Sequence, residues 1–82
     1  MERQVAVVSI IVNDASCVEA LNAVLHDYNA FALGRMGIPY REKGLFIISL
    51  AFDIDIATLS EMTGRIAALK GVRVISANTQ EG

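Results

Sequence analysis

The residues of this sequence that could do chemistry are concentrated in one segment, residues 33–44. It carries three glycines, the only proline, a tyrosine and three of the seven basic residues. Basic side chains bind carboxylates and phosphates, and glycine leaves backbone N–H groups open to an anion. The segment therefore suggests a contact for a small-molecule ligand or a protein partner. The candidate contact residues are Gly34, Arg35, Gly37, Tyr40, Arg41 and Lys43.

The same residues also have a purely structural interpretation, which is the simpler of the two. Glycine permits a β-bulge or a close subunit contact, and Pro39 would blunt the edge of a strand. Charges would keep a hairpin tip hydrated. Arg35 fits this interpretation least well, because it stands between two glycines inside a strand rather than at the tip.

Metal binding and catalysis find little support in the sequence. Cys17 and His26 are the only soft metal ligands apart from methionine. On one helix they would lie on nearly opposite faces, roughly 13 Å apart along the axis, so one chain cannot use both for one metal. A site made between chains stays open. No catalytic triad spacing and no P-loop occurs. We expect no enzyme, no resident metal and no cofactor.

Apolar spacing predicts the elements that position the 33–44 segment. Strands are expected at residues 5–12, 31–39, 45–52 and 72–78, and helices at about 18–29 and 56–70, with a polar tail from residue 79. The order βαββαβ predicts one domain, residues 1–82, with the ferredoxin-like α+β fold. In that fold two helices cover one face of a four-stranded antiparallel sheet.

Polar residues at the helix ends indicate where the two helices begin and end. Ser16 and Glu19 have the spacing of a capping box for the first helix. Asp53 and Asp55 offer a cap for the second helix. Gly71 suits the left-handed residue that follows a helix.

The two strands expected at the centre of the sheet are apolar on both sides, although helices cover only one face. Hydrophobic residues make up 54% of the chain, and the mean hydropathy is +0.47. The apolar runs are far shorter than the ~20 residues of a membrane-spanning helix. We therefore expect a homodimer or tetramer. The predicted interface residues are Val5, Val7, Ser9, Ile11, Leu45, Ile47 and Ser49.

Charge and cysteine content narrow the class of partner and the compartment. The net charge is −2 and the pI about 5.2, so there is no basic field to hold a nucleic acid. A single cysteine excludes an intrachain disulfide and fits the reducing cytoplasm. The N-terminus has no small-residue cleavage site before the first strand, so a signal peptide is not expected.

Several blocks of the sequence resemble one known family. They are GRMGIPYREKG at residues 34–44, IIS at 47–49, VSIIV at 8–12, LHDY at 25–28, the Thr-Gly pair at 63–64 and LKGVRV at 69–74. Together they are similar to the iron-only hydrogenase system regulators. The resemblance implies a stand-alone ACT-like domain of ferredoxin-like fold, assembled as a dimer or tetramer.

With this resemblance, our leading hypothesis is a homo-oligomeric regulatory or sensing module that binds a small ligand or a protein partner between subunits, at a cleft bordered by the hairpin of residues 34–44. Two alternatives remain open, a small DNA-binding transcriptional regulator and a scaffold for an enzyme-maturation partner. ACT domains commonly bind amino acids at a glycine-containing loop between the first strand and the first helix. Here that loop, residues 13–16, has no glycine, which argues against ordinary amino-acid binding.

Overall fold

The computed structural model describes residues 2–79, so the predicted tail lies beyond them from residue 80 onward. The main elements follow the predicted order βαββαβ. They are β1 (Arg3–Val12), α1 (Val18–Asp27), β2 (Ala32–Tyr40), β3 (Leu45–Asp55), α2 (Ile56–Ala67) and β4 (Val72–Asn78). Short 3₁₀ turns precede α1, follow it, and close the hairpin between β2 and β3. Neither helix within residues 2–79 is long and apolar enough to cross a bilayer.

The four strands form one sheet in the order β2-β3-β1-β4, with every neighbouring pair antiparallel. The strands β1 and β3 are therefore central, and β2 and β4 are the edges. Non-sequential neighbours of this kind, joined by helical crossovers, define the ferredoxin-like α+β fold. The predicted fold class is confirmed.

The hydrophobic core lies between the two helices and one face of the sheet. On β1 and β3 it takes the even-numbered side chains, as the period of two along a strand requires. The helices contribute stripes at spacings of three and four. The core side chains, each at most 8% exposed, are Ala6, Val8, Ile10, Val12, Leu21, Val24, Leu25, Tyr28, Ile48, Leu50, Phe52, Ile54, Leu59, Met62 and Ile66.

The predicted capping box at the start of α1 is wrong. A 3₁₀ turn at Ala15–Cys17 comes before the helix. Asp14 caps this turn, because its carboxylate accepts hydrogen bonds from the Ser16 hydroxyl (2.7 Å) and from the Ser16 N–H (3.0 Å). The Ser16 hydroxyl therefore donates to Asp14 instead of capping the helix, and α1 begins without a side-chain cap. The two hydrogen bonds lower the pKa of Asp14.

At the second helix Asp55, the last residue of β3, is the cap. Its carboxylate accepts hydrogen bonds from the Thr58 hydroxyl (2.7 Å) and from the Thr58 N–H (3.0 Å), which lower its pKa. Asp53 instead stays in the strand and pairs with Arg3 at 3.8 Å. Gly71 has φ +78°, the left-handed conformation predicted for it.

Candidate functional surfaces

The face of the sheet that the helices do not cover, called here the open face, is apolar across all four strands. Strand pairing sets its side chains in rows. The central three rows, each written from β2 to β4, are Ile38, Ile47, Ile11 and Arg73; Met36, Ser49, Ser9 and Ile75; and Gly34, Ala51, Val7 and Ala77. Arg73 is the one charged residue among these twelve.

Large apolar side chains on the open face are well exposed to solvent. Ile75 is 74% exposed and Met36 is 59% exposed. The others range from 39 to 49%, and they are Val5, Val7, Ile11, Ile38 and Tyr40. Monomeric proteins rarely expose a contiguous apolar patch of more than a few hundred Å². The open face therefore has the character of a surface that another molecule covers.

All seven residues predicted for an interface lie on the open face, since each of them is an odd-numbered residue of β1 or β3. The sequence-based prediction missed the residues at the two edges of the open face, which are Met36 and Ile38 on β2 and Ile75 on β4. On β4 a signal was available, because Ile75 is apolar beside the half-buried Val74, which packs against the core. An apolar side chain on both sides of an edge strand is the same pattern that marked β1 and β3.

The candidate contact residues of the 33–44 segment do not form one cluster. Gly34 and Tyr40 stand on the open face, where Tyr40 lies opposite Leu45. Arg41 and Lys43 are exposed in the 3₁₀ turn at the tip, which Gly44 closes at φ +65°. Arg35 lies on the helix side, and about six residues of extended strand put it roughly 20 Å from the tip.

A β-bulge decides where Arg35 points. Ala32 pairs with Phe52, but Gly34 pairs with Ala51, so Leu33 is an extra residue in β2. Without it Arg35 would lie opposite Ser49 on the open face. With it Arg35 lies opposite Leu50, whose side chain is in the core. A bulge of this kind re-aims every side chain that follows it.

Arg35 thereby enters a cleft between the second half of α1 and the sheet. The cleft has a volume of about 280 Å³ and is lined by Asn22, Leu25, His26, Asn29, Ala32, Arg35, Leu50 and Phe52. A guanidinium N–H of Arg35 (Nη2) donates a hydrogen bond of 3.0 Å to Oδ1 of Asn22. Polar side chains form the rim of the cleft, and the core residues of the set form its floor.

The end of α1 is tied to α2 beside this cleft. The Tyr28 hydroxyl donates to Oε1 of Glu61 at 2.6 Å and accepts from Arg65 at 3.2 Å. Arg65 also pairs with Asp27 at 2.9 Å and stacks over the Tyr28 ring. These hydrogen bonds raise the pKa of Arg65. The Asp27 carboxylate therefore forms an ion pair with Arg65 of α2.

Cys17 and His26 lie apart. The Cys17 thiol donates a hydrogen bond to the carbonyl of Lys70, whereas His26 is on the rim of the cleft. Among residues 2–79 no three side chains of His, Cys, Asp or Glu come together in a way that could hold a metal ion.

Comparison with known proteins gives one family. The model of the family described as "TM1266-like: Iron-only hydrogenase system regulator, putative" matches residues 4–76. No curated protein matches the chain significantly.

Several solved structures share the fold, and two of them illustrate the range of similarity. The uncharacterized protein TM1266 from Thermotoga maritima has a TM-score of 0.90 at 28% identity, and the match covers 94% of this chain and 98% of that one. A formyltetrahydrofolate deformylase from Pseudomonas putida KT2440 has a TM-score of 0.63 at 15% identity. That match covers 89% of this chain and 28% of the deformylase, so it concerns the fold alone.

Proposed function

Because the chain belongs to the family of iron-only hydrogenase system regulators, we propose that it is a regulatory module rather than a catalyst, and that it works as a homodimer. Two copies pack their open faces against each other. The observation that carries this proposal is the continuous apolar surface of the open face, with Ile75 74% exposed in the single chain.

The open face is large enough for such a contact. Four strands about 4.8 Å apart, over roughly seven residues each, give a footprint of about 440 Å². Two footprints amount to about 900 Å² before the relief of the side chains is added, close to the ~1,000 Å² that a specific interface needs.

A second copy is the partner that suits this surface best. The centre of the open face carries no charge, since Arg73 lies towards one end of it and Asp53, paired with Arg3, lies towards the other. Two copies can therefore meet without burying like charges together. A partner that was strongly charged would find no complementary group at the centre.

The hairpin tip gives this dimer a place to receive a signal. Tyr40 stands at the border of the open face, and Arg41 and Lys43 follow it in the exposed turn. A ligand or partner bound there touches the edge of the subunit contact. Binding can then favour one arrangement of the two copies over another, which is how a regulator transmits its state.

The proposed function is tested in the host organism. The gene is deleted, and iron-only hydrogenase activity and transcript are compared with the parent strain. We expect both the deletion and an Ile75→Glu copy to alter the hydrogenase level, and a Ser76→Glu copy to restore it. Ser76 is the matched control, because it is the next residue of the same exposed edge strand and faces away from the open face. A deletion without effect on the hydrogenase would contradict the proposal.

A further inference from the structure

We infer that the cleft between α1 and β2 is a binding site for a small organic anion. Arg35 holds the charged head of this anion, and the apolar body of the anion lies on the core residues that form the floor of the cleft. This site is on the helix side of the sheet and does not depend on the proposed dimer. The shared chemistry of its ligands is an oxyanion, carboxylate or phosphate monoester, joined to a compact apolar group.

The charge of the cleft selects an anion. None of its eight lining residues is acidic, whereas the net charge of the chain is −2. Within residues 2–79 Arg35 has no carboxylate partner, unlike Arg3, which pairs with Asp53, and Arg65, which pairs with Asp27. A guanidinium carries five N–H donors in a planar fork that matches an oxyanion. The single bond to Asn22 leaves most of them available.

The bulge and the hydrogen bond together hold Arg35 ready for a ligand. The extra residue Leu33 turns Arg35 from the open face to the cleft, although an exposed arginine would be hydrated equally well on either face. Asn22 then fixes the guanidinium against α1. Bulges that re-aim a side chain are frequent beside binding sites.

The floor of the cleft and the other polar side chains at its rim indicate the size and polarity of the rest of the ligand. Leu25 and Leu50 are each 5% exposed and Phe52 is 1% exposed, and all three line the cleft. Small-molecule sites combine such an apolar floor with a few convergent polar groups. His26 and Asn29 supply those groups beside Asn22. The volume of about 280 Å³ is at the lower end for such sites, so the apolar body is compact, of the size of one ring.

The test uses the full chain and four probes followed by NMR. Benzoate and phenyl phosphate carry head and body, inorganic phosphate carries only the head, and benzamide is the neutral analogue of benzoate. We expect benzoate or phenyl phosphate to shift the ring signals of His26 and the side-chain amide signals of Asn22 and Asn29. Whichever of these two probes binds more tightly identifies the preferred head group, carboxylate or phosphate. Phosphate alone and benzamide bind at least tenfold more weakly.

Two arginine variants decide whether Arg35 is the anchor. Arg35→Gln weakens the binding of the better probe at least tenfold, and Arg35→Lys weakens it less, because the charge is kept and the fork is lost. Lys70→Gln is the control, because Lys70 is an exposed cation that does not line the cleft, and this variant leaves binding unchanged. Far-UV circular dichroism checks that each variant is folded. We expect all of them to fold, because Arg35 and Lys70 are both exposed.

Three results would overturn the inference. They are no shift at His26 or the two asparagines with any probe, equal binding of benzamide and benzoate, and a loss of binding in Lys70→Gln that equals the loss in Arg35→Gln. The titration is repeated with Ile75→Glu, in which the proposed dimer is broken. We expect unchanged binding there, so failure of the site and failure of the dimer are told apart.

Discussion

The hydroxyl oxygens of Ser9 and Ser49 lie 3.5 Å apart across the two central strands, at the centre of the open face. One strand flanks the pair on either side, and Met36 and Ile75 complete its row. In the proposed dimer, a two-fold axis that runs between the two facing sheets, over this pair, places the pair opposite that of the second copy. Four hydroxyls then meet in an otherwise apolar contact, where they can bond only to one another and so define its register.

This geometry predicts a charge effect at Ser9. Ser9→Asp and Ser9→Lys each place two like charges together at the centre of the homodimer, which weakens association at least about 100-fold, since such a contact costs several kcal/mol. Mixed in equal amounts, the two variants form a heterodimer in which the charges attract. Analytical ultracentrifugation of the separate and mixed samples measures this. Failure of the mixture to associate would place the axis elsewhere on the face.

The helical glycine of α2 is predicted to be replaceable without loss of stability. A Cβ added at Gly64 meets no atom within 4 Å, so Gly64→Ala should raise the free energy of unfolding by about 1 kcal/mol, the helix propensity difference. Gly71→Ala is the contrasting variant. There φ is +78° and the new Cβ would lie 2.9 Å from Cβ of Asp14, so stability should fall. Urea denaturation measures both, and a destabilised Gly64→Ala would reveal a contact of α2 with another subunit.

Acid is predicted to remove part of the stability that the cap of α2 provides. The pKa of Asp55 is lower in the folded than in the unfolded chain, because Thr58 donates two hydrogen bonds to the carboxylate. Its stabilising effect is complete above the unfolded pKa of about 3.9 and is lost as the pH falls through the lower folded value. Asp55→Asn keeps a capping side chain that does not titrate. The stability difference between wild type and variant should therefore narrow on acidification, as urea midpoints at neutral pH and near pH 3 would show. An unchanged difference would contradict this account.

The central strands and the apolar open face could be predicted from the sequence, because side chains alternate between the two faces of a strand and those of β1 and β3 are apolar on both. The face of Arg35 could not be predicted. A single extra residue such as Leu33 leaves no mark in a strand already interrupted by Gly34 and Gly37, yet it reverses every side chain beyond it. The predicted capping box of α1 was wrong for a similar local reason, since Asp14 binds the hydroxyl of Ser16 that the capping box needed.

The measurement that tests the central claim most directly is sedimentation velocity of the wild type, Ile75→Glu and Ser76→Glu at micromolar concentration. The wild type and Ser76→Glu should sediment as dimers of the 8.8 kDa chain, and Ile75→Glu as a folded monomer. Ile75 is already 74% exposed in the single chain, so its replacement changes the fold little. In the dimer, losing one buried isoleucine from each copy at about 1.5–3 kcal/mol weakens association at least about 100-fold. A monomeric wild type, or an Ile75→Glu variant that remains dimeric, would contradict the account.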